Sequence, residues 1–351
     1  MRGLLLLGIS VVLGMEAGPH RGRVPPPAAS GAPERWILVY AGAQKGHQLA
    51  YDVNDFTRLV TRVDTEGVPQ AWLTTGAIFL QLYAPSGRVF TTWMGGERAS
   101  GQDWSDYVDS LFAATGALAR LDSAVTRAAG LVGPPASPFG VAIMLPYPDP
   151  AEGALLFQGT RYDFRHPPER AAAAAAFAAV VAERFRDARY RSLRLAGCYW
   201  LQETAPDGDV PVITAVAARV HALGLRFLWI PYFTSQGWDR WRALGFDAAW
   251  LQPNYFFDRD VAATRLDSAA ARAQGAGMGL EIEFDGRMLS DPRFSDRLEP
   301  YLAALWLHPE LRQSIAIYDG AGALVALSRR RRPAGRDRYE ALARLLGGER
   351  P

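Results

Sequence analysis

The chain has 351 residues, of which 49% are apolar and 21% are charged, a composition that supports a sizeable core and excludes extensive disorder. The net charge is only +2, from 38 basic and 36 acidic side chains. No long-range field therefore favours nucleic acid or an anionic membrane as the partner. The single cysteine, Cys198, excludes an internal disulfide.

The first residues resemble an export signal. An apolar run at 4–13 follows Arg2, and its length suits a signal-peptide core but is too short to span a bilayer. We predict a signal peptide at 1–17 and a Pro/Ala/Gly-rich extended linker at 18–34. The mature protein is then expected in the periplasm, at the cell envelope or outside the cell, without a membrane span. An uncleaved anchor is the alternative.

From residue 35 to 351 the sequence repeats a short apolar run, a polar loop and a longer amphipathic stretch. The predicted strands lie at 36–40, 77–83, 141–147, 195–203, 226–233, 248–255, 278–284 and 314–318. The predicted helices lie at 54–64, 103–129, 168–186, 210–223, 238–244, 259–274, 294–307 and 337–346.

This alternation of strands and helices predicts parallel strands, because each helix returns the chain before the next strand begins. Eight such units favour a single (β/α)8 TIM barrel, an α/β fold, over an open doubly wound sheet. Active sites of such barrels lie at the carboxyl ends of the strands. The last residues of each predicted strand are therefore the candidate site.

Several reaction classes lose support because their motifs are absent. The sequence contains no phosphate-binding G-x-x-x-x-G-K-[ST] loop, H-E-x-x-H helix, G-x-S-x-G elbow or paired C-x-x-C. The five histidines show no ligand spacing, so neither a metal nor a cofactor is expected. The arginine run at 329–332 is interpreted as a solvated loop.

Acidic residues stand out at the ends of two predicted strands. Glu203 closes the fourth, and Glu281, Glu283 and Asp285 share one face of the seventh, whose other face is apolar. The acidic face should therefore look into the barrel or its rim. Crowding of like charges there is costly unless function or a counterion offsets it.

These carboxylates allow two interpretations. In the structural interpretation, Glu281 or Asp285 pairs with an arginine that points into the barrel, or the carboxylates accept hydrogen bonds at the rim of the barrel. In the functional one, two carboxyl groups across a cleft divide the cleavage of a glycosidic bond. One protonates the leaving oxygen, and the other attacks the anomeric carbon or activates water.

Other strand ends offer groups suited to a sugar ligand. Aromatic rings can stack on a pyranose face, and amides can bind hydroxyl groups. Trp93 and Trp238 are candidates for an exposed subsite, whereas Trp229 and Trp250 are expected in the core. The substrate-binding candidates are Tyr147, Tyr199, Tyr232, Trp238, Tyr255 and Tyr318, with Gln252 and Asn254 as supporting amides.

Four motifs carry a resemblance to a known family. They are GCYWLQE at 197–203, WIPY at 229–232 with GW at 237–238, GFD at 245–247 through QPNY at 252–255, and EIEFD at 281–285. Together, over about residues 36–318, they resemble domain-of-unknown-function family 4855 (DUF4855). The resemblance implies an exported bacterial TIM-barrel protein of the glycoside-hydrolase-like kind.

A more distant likeness is to retaining TIM-barrel glycosidases, whose acid/base glutamate ends strand four and whose nucleophile ends strand seven. Glu203 and Glu283 match these places, although Gln202 replaces the usual asparagine. The sequence thus favours a glycoside hydrolase with these two catalytic residues and with Glu281 and Asp285 as tuning neighbours. The alternatives are a non-catalytic carbohydrate-binding barrel and a hydrolase of another envelope bond that uses a divalent ion. The oligomeric state is left open.

Overall fold

A computed structural model describes residues 33–44, 47–320 and 322–347. The predicted signal peptide and nearly all of the predicted linker lie outside these residues. Eight strands form the centre of the fold, one at each predicted place. They are β1 (Glu34–Tyr40), β2 (Gly76–Leu80), β3 (Phe139–Leu145), β4 (Leu193–Trp200), β5 (Arg226–Trp229), β6 (Ala248–Leu251), β7 (Gly279–Glu283) and β8 (Ser314–Tyr318).

The eight strands close into a parallel barrel. Each strand pairs with the next along the chain, and β8 pairs with β1 through registers such as Glu34 with Ser314. The predicted (β/α)8 barrel is therefore confirmed. The open-sheet alternative is wrong, because an open sheet would leave two edge strands, whereas every strand here has two neighbours.

Helices form a layer outside the barrel. The first two helices begin with reciprocal side-chain caps, Asp52 with Asp55 in the first and Ser100 with Asp103 in the second. The helices of this layer are α1 (Val53–Val60), α2 (Gly101–Phe112), α3 (Ala117–Val132), α4 (Pro167–Ala188), α5 (Val210–Ala222), α6 (Thr264–Ala276), α7 (Arg287–Ser290), α8 (Glu299–Leu307), α9 (Ala323–Ser328) and α10 (Pro333–Gly347).

Two predicted helices differ from the structure. The single helix predicted at 103–129 is divided into α2 and α3, because a turn in which Gly116 donates to the Ala113 carbonyl interrupts it. The helix predicted at 238–244 is only the 3-10 turn Trp238–Arg240. Gly237 and Gly245, with φ of 78° and 93° in the left-handed region, bound that segment.

Two tryptophans fill the amino-terminal end of the barrel interior. The ring centroids of Trp36 and Trp250 lie 6.3 Å apart. Glycines make the space for them, since a Cβ on Gly76 would lie 2.5 Å from the Trp36 ring and one on Gly279 would lie 2.3 Å from the Trp250 ring. This end is a packed core, so an opening for a ligand belongs at the opposite end.

Short hairpins, which the sequence analysis did not predict, decorate the loops. Thr61–Val63 pairs with Pro69–Trp72, Ala154–Phe157 pairs with Thr160–Asp163, and Gly42–Gln44 pairs with His47–Leu49. Each strand has only three or four residues, below the length at which alternation is a readable signal. Among the helices that the structure describes, none combines the length and apolarity needed to cross a membrane.

Candidate functional site

The carboxyl ends of the strands hold a group of three glutamates, Glu203, Glu281 and Glu283. Both β7 glutamates are 1% exposed. Burial raises the pKa of Tyr40, at the end of β1, and of Tyr199, on β4, and the charge of Glu281 adds to both shifts. Since these tyrosines stand on strands that are not neighbours of β7, the acidic face of β7 looks into the barrel interior.

Glu203 lies three residues beyond the end of β4 and is partly exposed. The pKa of its carboxyl is raised to about 7, chiefly because it is buried among protein atoms; a hydrogen bond from Gln252 opposes the rise and the negative charge of Glu283 adds to it. The carboxyl is therefore divided between its protonated and ionised forms near neutral pH. A group in that state can both give and take a proton.

Glu281 lies deeper in the barrel than the other two. Burial raises its pKa well above the usual value, and the charges of Glu283 and Glu203 act in the same direction. Its Oε1 atom has no hydrogen-bond partner among the described residues. The favoured state at neutral pH is the protonated acid, because ionisation would add a third buried negative charge.

Glu283 is held by donors from two directions. Tyr301, a buried residue of α8, donates its hydroxyl to Oε2 at 2.6 Å, and the backbone N–H of Tyr255 donates to the same atom at 3.3 Å. Burial raises the pKa of Glu283 to about 7, while these bonds, the Asn254 backbone N–H and the charge of Arg265 restrain the rise. The donors favour the carboxylate form and fix its orientation.

Gln252 and Asn254 form the support of Glu203. Gln252 donates to the Ile230 carbonyl at 3.2 Å and accepts from the Asn254 amide at 3.1 Å. The Asn254 side chain in turn accepts from the backbone N–H of Phe233 at 2.9 Å. Asn254 also has a φ of 52°, in the left-handed region that asparagine tolerates better than most residues. This chain of bonds fixes the amide that binds Glu203.

The loop after β2 reaches the same region from the other side. Thr92 donates its hydroxyl to the side-chain oxygen of Gln202 at 3.0 Å. The neighbouring Trp93 is 46% exposed, as expected for a subsite candidate. Because Thr92 binds Gln202, the exposed ring of Trp93 is held next to the segment that carries Glu203.

Two candidates are engaged in ion pairs or networks. Asp285 pairs with Arg287, with an oxygen–nitrogen distance of 2.8 Å, in the way that the structural interpretation predicts. Tyr147 donates to Asp209 at 2.8 Å and accepts from Arg170 at 2.9 Å, and this arginine and aspartate form a buried salt bridge. These contacts engage the polar groups of Asp285 and Tyr147 with charged partners.

The other aromatic candidates divide by exposure. Tyr199 is buried inside the barrel, and Tyr255 is buried with the Arg297 guanidinium 3.8 Å from its ring centroid. Tyr232 and Trp238 are partly exposed. Tyr318 is half-buried and makes edge-to-face contacts with the rings of Tyr40 and Phe257.

Three residues near the site were missed in the sequence. Tyr40, at the end of β1, met the strand-end criterion and lies 5.8 Å from Tyr318 between ring centroids. Phe257, which is 37% exposed, lies 5.4 Å from Tyr318 on the loop after β6. Tyr301 carries no sequence signal, because it lies within a helix 18 positions beyond the residue it binds. Within the described part of the chain, no group of three or more His, Cys, Asp or Glu residues is arranged to hold a metal ion.

Fold and site together define a TIM-barrel protein with a buried carboxylate group at the carboxyl-terminal mouth of the barrel. The chain belongs to the family described as "Domain of unknown function (DUF4855)", whose profile matches residues 35–344. The family resemblance drawn from the strand-end motifs is thus confirmed. Among curated proteins, none matches the chain.

Solved structures of two kinds are similar to the chain at low identity. The tryptophan synthase alpha-subunit of Pyrococcus furiosus is 11% identical, with 90% of this chain and 98% of that chain covered and a TM-score of 0.40. The intracellular xylanase TsXylA of Thermoanaerobacterium saccharolyticum is 8% identical, with 83% and 87% covered and a TM-score of 0.40. With scores this low, the barrel assignment rests on the strand pairing itself.

Proposed function

We propose that the protein is a glycoside hydrolase that cleaves a glycosidic bond of a polysaccharide or glycoconjugate with Glu203 and Glu283. One observation carries the proposal. Two carboxyl groups, that of Glu203 just beyond β4 and that of Glu283 at the end of β7, interact electrostatically, and burial among protein atoms raises the pKa of each to about 7. A pair of carboxyl groups flanking the scissile bond is the machinery that most glycosidases use.

The surroundings of the two glutamates support different roles. Both carboxyls hold a proton in part of the molecules at neutral pH, so their donors distinguish them: Glu203, whose ionised form a single hydrogen bond from the Gln252 amide favours, is the general acid/base. Glu283 is the nucleophile or the base that activates water, since Tyr301 and two backbone N–H groups favour its ionised form. Glu281, as a neutral acid, adds no competing negative charge.

The carbohydrate would lie on the aromatic rings at the mouth. Tyr318 and the more exposed Phe257 form adjoining edge-to-face rings on the β8 side, and Trp93 lies on the loop held at Gln202. Flat apolar ring faces of this kind complement the C–H face of a pyranose. The partly exposed Tyr232 offers a further face and a hydroxyl.

Export belongs to the same proposal, because a glycan of the envelope or the surroundings lies outside the cytoplasm. Its basis is the apolar run at 4–13 behind Arg2. Expression of the full chain, followed by amino-terminal sequencing of the protein found outside the cytoplasm, tests it. A mature protein beginning near residue 18 is expected, and a full-length protein retained in the cytoplasm contradicts export.

Release of reducing ends from a panel of bacterial and plant polysaccharides tests the hydrolysis. The matched control is the Glu203→Gln/Glu283→Gln double variant, purified identically, which exposes any contaminating hydrolase. The wild type should release reducing ends from at least one glycan, and the double variant from none. Binding without cleavage across the panel would favour the non-catalytic barrel, and complete inactivation by a chelator would favour the metal-dependent hydrolase.

A further inference from the structure

A groove lined by arginines lies on the outer side of the barrel, between α7 and the connection from α9 to α10. It is open to solvent and has a volume of about 620 Å³. Its lining contains no acidic residue and consists of Met288, Leu289, Arg329, Arg330, Arg331, Arg332, Ala334, Gly335 and Arg338. We call this surface the arginine groove.

Three of the five arginines have carboxylate partners at the edges of the groove. Arg329 pairs with Asp55, Arg331 with Glu66 at 3.4 Å, and Arg338 with two carboxylates on or beside α8. These pairs hold three guanidinium groups in place around the cavity. Their acidic partners lie outside the lining, so the groove itself still presents only positive charge.

Arg330 and Arg332 differ from the others. Both are exposed, and neither makes an ion pair with any residue that the structure describes. The stem of Arg330 lies against the first turn of α10, where a Cβ on Gly335 would come within 2.9 Å of it. Two unneutralised charges therefore stand beside three paired ones, an arrangement whose mutual repulsion an anion would relieve.

Some exposed arginines elsewhere on the surface are neutralised locally, whereas others, such as Arg161 and Arg219, make no ion pair with a described residue. Arg165 pairs with Asp163, Arg293 pairs with Asp291, and Arg186 contacts Glu183 and Asp187, each within a few positions along the chain. The run at 329–332 lacks such near neighbours, because the closest acidic residue in sequence is Asp337. The concentration of positive charge is thus local, although the net charge of the chain is only +2.

The groove also adjoins the mouth of the barrel. Chain positions 283–290 run from the end of β7 through the Asp285–Arg287 pair into α7, whose Met288 and Leu289 line the groove. A single short helix therefore separates the two surfaces.

We propose that the arginine groove binds a segment of a polymer that carries repeated phosphate or sulfate groups. Guanidinium forks bind the oxygens of both groups in a bidentate manner, which a single lysine charge does not. The cavity volume exceeds that of one such ion, and Arg330 and Arg332 offer two separate binding points. This proposal does not rest on the proposed hydrolysis, because it concerns a different surface.

Salt-dependent retention of the full chain on two columns tests the proposal. Immobilised heparin presents sulfate groups, and phosphocellulose presents phosphate groups. The groove variant is Arg330→Ser/Arg332→Ser. The matched control is Arg161→Ser/Arg219→Ser, which removes the same charge from two exposed arginines that also make no ion pair with the described residues.

The wild type and the control should elute at similar salt from at least one column, and the groove variant at clearly lower salt. The slope of log affinity against log salt should fall by about two for the groove variant, one counterion for each arginine removed. Retention on only one column identifies sulfate or phosphate as the preferred group. The proposal is overturned if both variants lose retention equally, since net charge alone then explains binding, or if the wild type is retained on neither column.

Discussion

Replacing Glu203 by glutamine should make the protein more stable at neutral pH while removing its acid. The carboxyl has an ordinary pKa of 4.5, which burial chiefly raises to about 7 in the folded protein. Between these two values the unfolded chain ionises while the folded chain keeps its proton. The folded state then binds more protons, so stability falls as pH rises through this window.

The size of the effect follows from the same two pKa values. Each pKa unit corresponds to about 1.4 kcal/mol, so the rise from 4.5 to about 7 corresponds to a loss of about 3 kcal/mol once the pH reaches 7. Glutamine does not ionise and still accepts the hydrogen bond from Gln252. The variant should therefore gain about 3 kcal/mol over the wild type near pH 7, and little at pH 4.

Urea unfolding followed by tryptophan fluorescence, for both proteins at pH 4, 5, 6, 7 and 8, measures this difference. The expected result is a gap in the free energy of unfolding that opens between pH 4.5 and 7 and then levels off. A gap that stays constant over this range would refute the argument, because it would show that the Glu203 carboxyl titrates alike in the folded and unfolded states.

The remaining predictions concern the residues around the glutamates and the barrel interior. Tyr301→Phe removes a donor that restrains the pKa of Glu283, so the acidic limb of the pH–rate profile should move to higher pH; an unmoved limb would argue against this role. Asn254→Ala should lower the Tm, because it removes two hydrogen bonds worth about 1 kcal/mol each and adds backbone strain. Asn254→Gly should restore part of the loss by relieving the strain, and equal melting of both variants would contradict it. Gly76→Ala should lower the free energy of unfolding by about 1 to 3 kcal/mol, because the added Cβ would clash with the Trp36 ring. An unchanged Tm in calorimetry would contradict this close packing.

The barrel was predictable because its signal is repeated eight times. Strand-to-helix alternation fixes parallel pairing, and an error in one unit, such as the missing helix at 238–244, leaves the others intact. The glutamates were predictable for a related reason. Period-two alternation on β7 separates an acidic face from an apolar one, so Glu281 and Glu283 could be assigned to the barrel interior before their surroundings were known.

The supporting contacts of the site were not predictable in the same way. Tyr301 binds Glu283 across a gap of 18 positions, and no local periodicity records a contact between a helix and a strand end. Tyr147 and Asp285 have the residue types of site groups, yet Arg170 and Arg287 engage them. Whether a polar side chain is free depends on its tertiary partners. The sequence lists the candidates, and only the packing of the loops distinguishes them.

The central claim is that Glu203 and Glu283 divide the work of bond cleavage, and the dependence of each variant on the leaving group tests it most directly. On a glycan that the wild type hydrolyses, both Glu203→Gln and Glu283→Gln should be about 100- to 10,000-fold slower. On the corresponding nitrophenyl glycoside, whose leaving group needs little protonation, bond cleavage by Glu203→Gln should recover most of its rate and Glu283→Gln should remain inactive. Full activity of either variant on the natural glycan, or equal rescue of both by the activated leaving group, would contradict this division of roles.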